Sequence, residues 1–375
     1  MQAACNVPAL LAEPVLMKPK IIVEKFALSD IEGFLELSIS EYGTSASTST
    51  NSDHIKWKHL NSPFGASTYI SLVSSGKIVG RAMLQPRIYC IGSYRLSAAN
   101  VTDVIIERGF RSPPSNFINV TKAAGDVSGF DLSFHTSNER TFSLYTKLLH
   151  FPTPFSLRAF GFPLRFSGFL CKIIGHRIEI LDWLTAPFRW LLVITASLVN
   201  FAAKLDVSPQ TMGDDELDAL CTKCLRQSGP LFARTNAFLK WRFLDAPLSP
   251  ASVYRIDLKG TFIGYIAICK QEMGGLNHLI LKDFLLDPNT PHFVQVALRL
   301  WLIRIAIKSK ADTLFTMVNS FSSIARECVG FPLVPIPDRL LPHATPIFMR
   351  FRSSDNKEFE MDKSVHFTMA DLDYF

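Results

Sequence analysis

The chain has 375 residues, of which 48% are hydrophobic and 19% charged, with a mean hydropathy of +0.18. This balance is typical of a globular protein and excludes one with many membrane spans. The length predicts two domains, since one hydrophobic core rarely serves more than about 250–300 residues. The net charge of +6 favours anionic partners such as phosphates or acidic lipids without requiring them.

The cysteines predict reduced thiols. There are seven, an odd number, scattered mostly through apolar stretches, as in a cytosolic protein. Cys221 and Cys224 have the spacing of a zinc or redox pair, but no second pair or histidine set accompanies them. We therefore expect two cysteines on one helix, and no metal. Residues 1–20 lack the pattern of a signal peptide, so we expect a cytoplasmic protein, or one peripheral to the inner membrane face.

In chain order, the first half predicts an α+β arrangement. A helix ends near Trp57 and is stopped by Pro63. Two hairpin strands, a third strand, a helix, a strand, a helix and a short last strand follow, at residues 68–73, 77–85, 95–106, 115–124, 132–135, 138–149 and 150–151. This order predicts a mixed sheet covered by helices.

Residues 155–204 form an apolar, basic connector. It carries nine Phe or Trp and six Lys or Arg, against Glu179 and Asp182. Its longest uncharged run, residues 190–203, is shorter than the about 20 residues that a membrane span needs. Two interpretations stay open: in-plane contact with an anionic membrane surface, and helical packing between the halves.

The second half repeats the first at a constant offset. Residues 56–63 (KWKHLNSP) reappear as residues 240–247 (KWRFLDAP), and residues 76–80 (GKIVG) as residues 260–264 (GTFIG), each pair 184 positions apart. We interpret this ungapped match as a tandem duplication. The corresponding elements are predicted at residues 252–257, 261–270, 278–286, 291–308, 313–318, 319–329 and 330–331.

The order of motifs in the two halves resembles a known family. The first half carries WK at 57–58, PFG at 63–65, GKIVG at 76–80, DVII at 103–106, Arg111, and Asn138 with Tyr145 seven positions on. The second carries WR at 241–242, KDF at 282–284, GF at 330–331 and HFTMADLD at 366–373, similar to W-x-x-T-x-x-D-x-D. Together they resemble the GNAT acyl-CoA N-acyltransferases, in particular the tandem-domain type associated with envelope or exopolysaccharide biosynthesis.

This resemblance implies a domain organisation. Each of two tandem GNAT-like domains would be an α+β unit with a mixed, mostly antiparallel sheet flanked by helices. The implied parts are an N-terminal extension (1–20), a first domain (21–158), an apolar, basic helical connector (159–211) and a second domain (212–375).

The resemblance also implies acetyl-CoA, or another acyl-CoA, as co-substrate. Its implied contacts are Ile105, Ile106, Arg111, Ser112, Ser115 and Asn116. In the family, glycines in the loop (Arg/Gln)-x-x-Gly-x-(Gly/Ala) let backbone N–H groups at a helix N-terminus approach the pyrophosphate. Here Pro114 replaces the first glycine and Asn116 the second small residue, and proline has no N–H to donate. Either Arg111 and a helix-capping Ser115 still bind phosphate, or the loop is only a proline-stiffened turn.

Three residues carry the implied catalysis. Tyr145, at the family's spacing from Asn138, would protonate the thiolate that leaves when an amine attacks the thioester. Glu107, at the end of the strand that enters the loop, would be a base acting through water. The alternatives are a half-buried core tyrosine and an exposed strand-end carboxylate.

The second half departs further from the family pattern. Its loop at residues 287–292 (DPNTPH) has neither glycine nor an Arg/Gln lead, and Arg326 replaces the tyrosine. We interpret this half as a structural or acceptor-recognising unit. The chain is then expected to transfer an acyl group to a small-molecule amine, such as an amino sugar of an envelope precursor. The alternative is a non-catalytic GNAT-like module of a membrane-associated assembly. We expect no nucleic-acid partner, because the basic charge is spread out.

Overall fold

The computed structural model describes residues 18–44, 48–112, 114–137, 139–168, 179–209, 212–248, 250–337, 345–352 and 362–372. These residues form one sheet of fourteen strands with helices against it. The predicted α+β class, with a large, mostly antiparallel sheet, is confirmed.

The strands of the first part of the chain are β1 to β7. Their bounds are Lys20–Lys25, Thr68–Ser74, Lys77–Ile91, Tyr94–Ile106, Leu132–Thr136, Phe155–Pro163 and Leu205–Ser208. The later strands, β8 to β14, are Leu231–Phe232, Ser252–Leu258, Thr261–Met273, Leu276–Leu286, Thr313–Val318, Val334–Pro335 and Thr345–Phe351.

The α-helices whose bounds lie within the described residues are numbered α1 to α10. Their bounds are Ile31–Tyr42, Ser52–His59, Ser115–Asp126, Glu139–Ser143, Glu179–Leu184, Ala186–Ala203, Asp214–Ser228, Asn236–Leu239, His292–Lys308 and Ser323–Cys328. A π-helical turn continues α4 (Leu144–Leu148) and another continues α8 (Lys240–Leu244).

The two halves of the sheet are joined because each half places a late strand inside the other. The strand order is β1-β2-β3-β4-β5-β14-β6-β12-β11-β10-β9-β7. Strand β14, from the second half, pairs antiparallel with β5 of the first. Strand β6, from the first half, pairs antiparallel with β12 of the second. The predicted boundary at residue 158 falls within β6 and stays a prediction.

The repeated tryptophans meet at the junction between the halves. The Trp57 indole N–H donates to the carbonyl of Trp241 at 2.7 Å, and the Trp241 indole donates to the carbonyl of Trp57 at 2.8 Å. Their rings stack with centroids 5.2 Å apart. This reciprocal contact is what a local two-fold relation between the repeats produces.

The repeated glycines are required for the same structural reasons in both halves. Gly76 and Gly260, in the hairpin turns, both have φ of 80°, where glycine is favoured. Gly80 and Gly264 lie where the facing strand comes close: a Cβ would meet Ile106 Cδ1 at 2.6 Å and the Leu285 carbonyl oxygen at 2.4 Å respectively. The sequence repeat therefore marks the same backbone requirements in both halves.

Two pairs of parallel strands diverge along their length. Strands β4 and β5 pair from Ala98 with Leu132 to Asn100 with Phe134 and then separate. Strands β11 and β12 pair in the same way from His278 with Thr313 to Ile280 with Phe315. A gap in the sheet opens beyond each pairing, one in each half.

In the second half the C-terminal segment, residues 362–372, fills this gap. Thr368 forms a bridge with Val318 of β12, and the His366 imidazole Nε2 lies 2.9 Å from the Phe284 carbonyl oxygen of β11. The backbone N–H of Asn319 donates to the Phe367 carbonyl at 3.0 Å. The segment therefore fills the gap of the second half, whereas the corresponding gap of the first half stays open.

The predicted ends of the two halves differ from the structure. A short last strand was expected at residues 150–151, but His150 has a left-handed φ of 52° and the strand begins at Phe155. Residues 330–331 are not in a strand, and β13 begins at Val334. The reason is that these last strands pair across the halves, and a partner so distant in sequence leaves no local pattern.

Candidate functional site

The open gap between β4 and β5 holds a cavity of about 90 Å³. Helix α3, which follows β4, contributes Phe117, and the C-terminal segment contributes Phe367 and Leu372. The polar side chains in the wall are Asn100, Thr102, Asp103, His135, Thr136, Ser137, Thr141, Tyr145 and Asp371. The wall therefore combines apolar side chains with several polar ones, as small-molecule sites do.

Tyr145 lies in this wall, on the π-helical turn after α4. The side chain is buried, with its ring 4.2 Å from that of His135 and 5.2 Å from that of Phe348, centroid to centroid. Phe117 and Phe151 approach its ring edge to face. These four rings fix the phenol at the cavity.

His135, on β5, is the most unusual polar group in the wall. Its side chain is buried, and burial lowers the pKa of its imidazole to about 3. Neither ring nitrogen has a hydrogen-bond partner among the described residues, although a neutral imidazole offers one donor and one acceptor. Buried polar atoms rarely lack partners, so His135 offers the cavity two groups that a ligand would satisfy.

Asp103 lies on β4 at a bulge, with a left-handed φ of 51°. Its carboxylate accepts from the Lys58 ammonium at 2.6 Å and lies 3.0 Å from His59 Nε2. Burial would raise the pKa of this carboxyl, but Lys58 and His59 outweigh that effect and hold it well below its usual range. Asp103 is therefore ionised at neutral pH, and it is one of the residues that line the cavity.

A buried charge network supports the wall on the side of the C-terminal segment. Asp371 accepts from Arg87 at 2.8 Å and from Arg234 at 2.6 Å, and Arg234 also donates to Asp283 at 2.8 Å. Tyr265 donates to Asp283 at 2.7 Å. Burial alone would raise the pKa of Asp371, but the two arginines outweigh it and lower that pKa. The network fixes the segment against both halves.

The structure places the predicted acyl-CoA contacts around the end of β4 and the start of α3. Ile105 and Ile106 are buried at that strand end. Arg111 ion-pairs with Glu41 of α1 and donates through Nε to the Ile106 carbonyl at 2.8 Å. The Asn116 amide donates to the Phe110 carbonyl at 2.8 Å.

The serines of this loop are exposed, and the structure bears on the two alternatives for the loop. Ser112 and Ser115 are both open to solvent. One alternative had Ser115 cap the following helix; in the structure Pro114 occupies the cap position and no side chain caps α3. A proline at the cap leaves Ser115 as the first helical residue, where its hydroxyl is past the position that reaches the free amides.

Glu107, a second predicted catalytic residue, does not join Tyr145 at the cavity. Glu107 accepts from Lys77 at 3.0 Å on the surface and is not among the cavity residues. Asn138 lies outside the described residues. The catalytic roles of Tyr145, Glu107 and Asn138 stay predictions.

The cysteine pair of the second half, Cys221 and Cys224, was expected to lie on one helix. Cys221 and Cys224 lie on one helix, α7, as expected, and burial raises the pKa of the Cys221 thiol to about 12. Within the described part of the chain, no group of three His, Cys, Asp or Glu side chains could hold a metal ion.

Sequence reasoning missed Asp103 as a site residue, together with Lys58, His59 and His135. Lys58 and His59 stood out in the sequence as part of the repeat, and Lys58 also as part of the WK motif at 57–58. The sequence signal for these two residues was a difference between the copies. The second half has Arg242 and Phe243 at the positions of Lys58 and His59. His135 carried no signal, since only the tertiary structure shows that it lacks a partner.

Several solved structures share this fold. A GCN5-related N-acetyltransferase from Anabaena variabilis ATCC 29413 aligns over 89% of this chain and 73% of its own, with a TM-score of 0.57 and 11% identity. One from Kribbella flavida aligns over 89% and 71%, with a TM-score of 0.56 and 11% identity. N-myristoyltransferase from Saccharomyces cerevisiae, in a structure with bound myristoyl-CoA, aligns over 91% of this chain and 80% of its own, with a TM-score of 0.51 and 11% identity.

No protein-family model and no curated protein sequence matches the chain. At 11% sequence identity, these structures are similar to the chain in fold alone. The chain therefore has the fold shared by GCN5-related N-acetyltransferases and N-myristoyltransferase.

Proposed function

We propose that the protein is an acyl-CoA-dependent N-acyltransferase whose reaction takes place in the cavity between β4 and β5. The observation that carries this proposal is the position of Tyr145 in the wall of the one parallel-strand gap that the C-terminal segment leaves open. Neighbours of the same fold include N-acetyltransferases and an enzyme that binds myristoyl-CoA, which supports an acyl-CoA co-substrate here.

The chemistry follows from the groups that face the cavity. An unprotonated amine attacks the thioester carbonyl, and the tetrahedral intermediate collapses as the bond from carbon to sulfur breaks. The Tyr145 hydroxyl gives its proton to the departing thiolate, and the resulting phenolate takes up the proton that the attacking nitrogen loses as the amide forms. Asp103, with its low pKa, is a weak base, so its role is to hold the acceptor through hydrogen bonds and charge. His135, kept neutral by burial, can donate to or accept from the bound substrate.

The lining supports a small polar acceptor. Hydroxyl and amide groups of Asn100, Thr102 and Ser137 and the Asp103 carboxylate converge on the cavity, a set that suits the hydroxyls and the amine of an amino sugar. A volume of about 90 Å³ suits an acetyl group better than a long acyl chain. We therefore propose acetyl transfer to an amino sugar or related envelope precursor, on the cytoplasmic side.

The test separates binding from chemistry. Calorimetric titration with acetyl-CoA and myristoyl-CoA would measure binding, and release of free CoA thiol with a panel of amines, amino sugars first, would measure turnover. Tyr145→Phe removes only the hydroxyl, so we expect turnover to fall by about 10²–10⁴-fold while acyl-CoA binding is kept.

Tyr94→Phe is the matched control, because Tyr94 is exposed in the hairpin between β3 and β4 and does not line the cavity. Full turnover in Tyr145→Phe would remove Tyr145 from the mechanism. Absence of binding heat with either acyl-CoA at millimolar concentration would overturn the proposed function.

One observation favours a second candidate, a non-catalytic GNAT-like module. The loop before α3 has Pro114 at the cap position, and Arg111 is engaged with Glu41 rather than free for a phosphate. Arg111→Ala distinguishes the two. Weaker acetyl-CoA binding in this variant would place the phosphates at this loop and support the enzyme. Absence of acyl-CoA binding in the unmodified protein would support the module.

A further inference from the structure

The face of α5 and α6 that points away from the sheet carries large, exposed apolar side chains. We call it the apolar face, and its main residues are Trp183, Leu184, Phe188, Trp190, Leu198 and Phe201. Trp183 is 73% exposed, Trp190 69% and Phe201 86%. Single exposed apolar residues are ordinary, but a continuous group of this size marks an interaction site.

The opposite side of α6 is fixed to the second half. Ala196, Asn200 and Ala203 are buried, and the helix packs against α9. Strand β7 follows directly and pairs with β9. One of the two interpretations of the connector was helical packing between the halves. In the structure this side of α6 packs against the second half, and the apolar face stays unexplained.

Helix α6 is also the single helix, within the described residues, that is long and apolar enough to cross a membrane. It has 18 residues with a mean hydropathy of 1.4, and 17% of them are buried. Because Ala196, Asn200 and Ala203 are buried where the helix packs against α9, crossing a bilayer would require it to leave the fold. Contact in the plane of a membrane surface requires no such change.

The charges around the apolar face favour an anionic partner. Arg189 is the one charged residue between positions 183 and 203, and its guanidinium turns inward to the carbonyls of Leu164 and Asp182. Beyond Phe201, Lys204 and Lys259 are exposed side by side, joined by a backbone hydrogen bond of 3.1 Å.

We propose that the apolar face of α5 and α6 binds the surface of an anionic lipid bilayer. Exposed Trp and Phe side chains enter the boundary between headgroups and acyl chains, and the lysines at its end meet acidic headgroups. A protein partner or a second copy of this chain would bury the same side chains. Neither explains the combination of interfacial tryptophans with a basic margin as directly.

The experiment uses the full chain and two kinds of vesicle, one of phosphatidylcholine alone and one that also contains phosphatidylglycerol. Binding is measured by flotation and by the shift of tryptophan emission to shorter wavelength. We expect binding to the anionic vesicles that weakens as salt is raised. The double variant Leu198→Ser, Phe201→Ser keeps both exposed tryptophans as reporters and should bind at least about tenfold more weakly.

The matched control is Leu28→Ser with Phe321→Ser, which removes two exposed apolar side chains elsewhere on the surface and should bind as the unmodified protein does. Circular dichroism checks that each variant is folded. Equal binding by both double variants, or no binding of the unmodified protein to either vesicle, would contradict the proposal. So would a dimer in sedimentation that Phe201→Ser abolishes, since a second copy would then cover the face. None of these measurements depends on acyl transfer.

Discussion

His135 shows how one side chain links the cavity to stability. The rings of Tyr145, Phe151 and Phe348 surround its imidazole, and Phe348 stacks on it at 5.1 Å. A protonated imidazole would need charge partners that these rings do not supply. In the folded protein the pKa of His135 is about 3, so the imidazole stays neutral down to about that pH. In the unfolded chain it takes up a proton near its ordinary pKa of 6.5.

This difference predicts an acid-dependent loss of stability. Above pH 6.5 neither state binds the proton, so there is no penalty; as pH falls from 6.5 towards 3, the unfolded state is increasingly favoured. At pH 5 the loss from one such histidine is roughly 2 kcal/mol. In His135→Phe we expect the fall in unfolding free energy between pH 7 and pH 5 to be smaller by about that amount.

Urea denaturation at the two pH values would measure the change. His292→Phe, at an exposed position at the start of α9, is the control and should keep the pH dependence of the unmodified protein. An identical pH dependence in His135→Phe would show that His135 can be protonated in the folded state. Burial also lowers the pKa of His366, so part of the acid sensitivity should remain in His135→Phe.

At the scale of elements, the C-terminal segment makes the two halves different. Both contain a pair of diverging parallel strands, but residues 362–372 lie in the gap of the second half and only border that of the first. Phe367 is buried where its ring meets those of Phe134, Phe155 and Phe232. The segment thus closes one gap and forms a wall of the other.

Phe367→Ala should therefore destabilise the protein by about 3–5 kcal/mol, the usual range for a buried phenylalanine. The exposed Phe321 gives a matched control, and Phe321→Ala should change the free energy of unfolding by less than about 1 kcal/mol. Denaturant titration measures both. A small effect of Phe367→Ala would mean that the segment is not held in the gap in solution.

On the scale of the whole molecule, the halves are mechanically one unit. Strands β6 and β14 lie between strands of the opposite half, and one hydrophobic core includes Trp57 and Phe134 as well as Leu285 and Leu302. The charge network of Arg87, Arg234, Asp283 and Asp371 crosses the same junction. The constant offset of the sequence repeat and the reciprocal tryptophan contact support our inference that the halves arose by duplication.

This connection predicts a single cooperative unfolding transition that depends on Arg234. Arg234→Met would leave Asp283 and Asp371 buried with fewer charge partners, and breaking a buried pair in this way costs about 3–5 kcal/mol. Lys77→Met breaks the exposed pair with Glu107 and should cost less than about 1 kcal/mol. Denaturant unfolding followed by both fluorescence and circular dichroism tests this. Two separate transitions in the unmodified protein would show that the halves fold independently.

The sequence determined most of the local structure. Hairpin strands, helices and their order followed from turn residues and hydrophobic periodicity, and those signals act over a few residues. It also singled out Tyr145, which lines the cavity, because its spacing from Asn138 resembles that of a known family. The bounds of β2, β3, β4 and α9 agree with the predicted ones at most ends, although β3 extends six residues further, to Ile91.

Only the tertiary structure decided how the halves combine and where the cavity lies. The exchange of β6 and β14 depends on pairing between residues far apart in sequence, which leaves no local pattern. Asp103 became a site residue because a bulge turns it towards Lys58 and His59, and His135 because folding surrounds it with aromatic rings. Local patterns specify elements, whereas a cavity is defined by the surfaces that several elements leave uncovered when they pack.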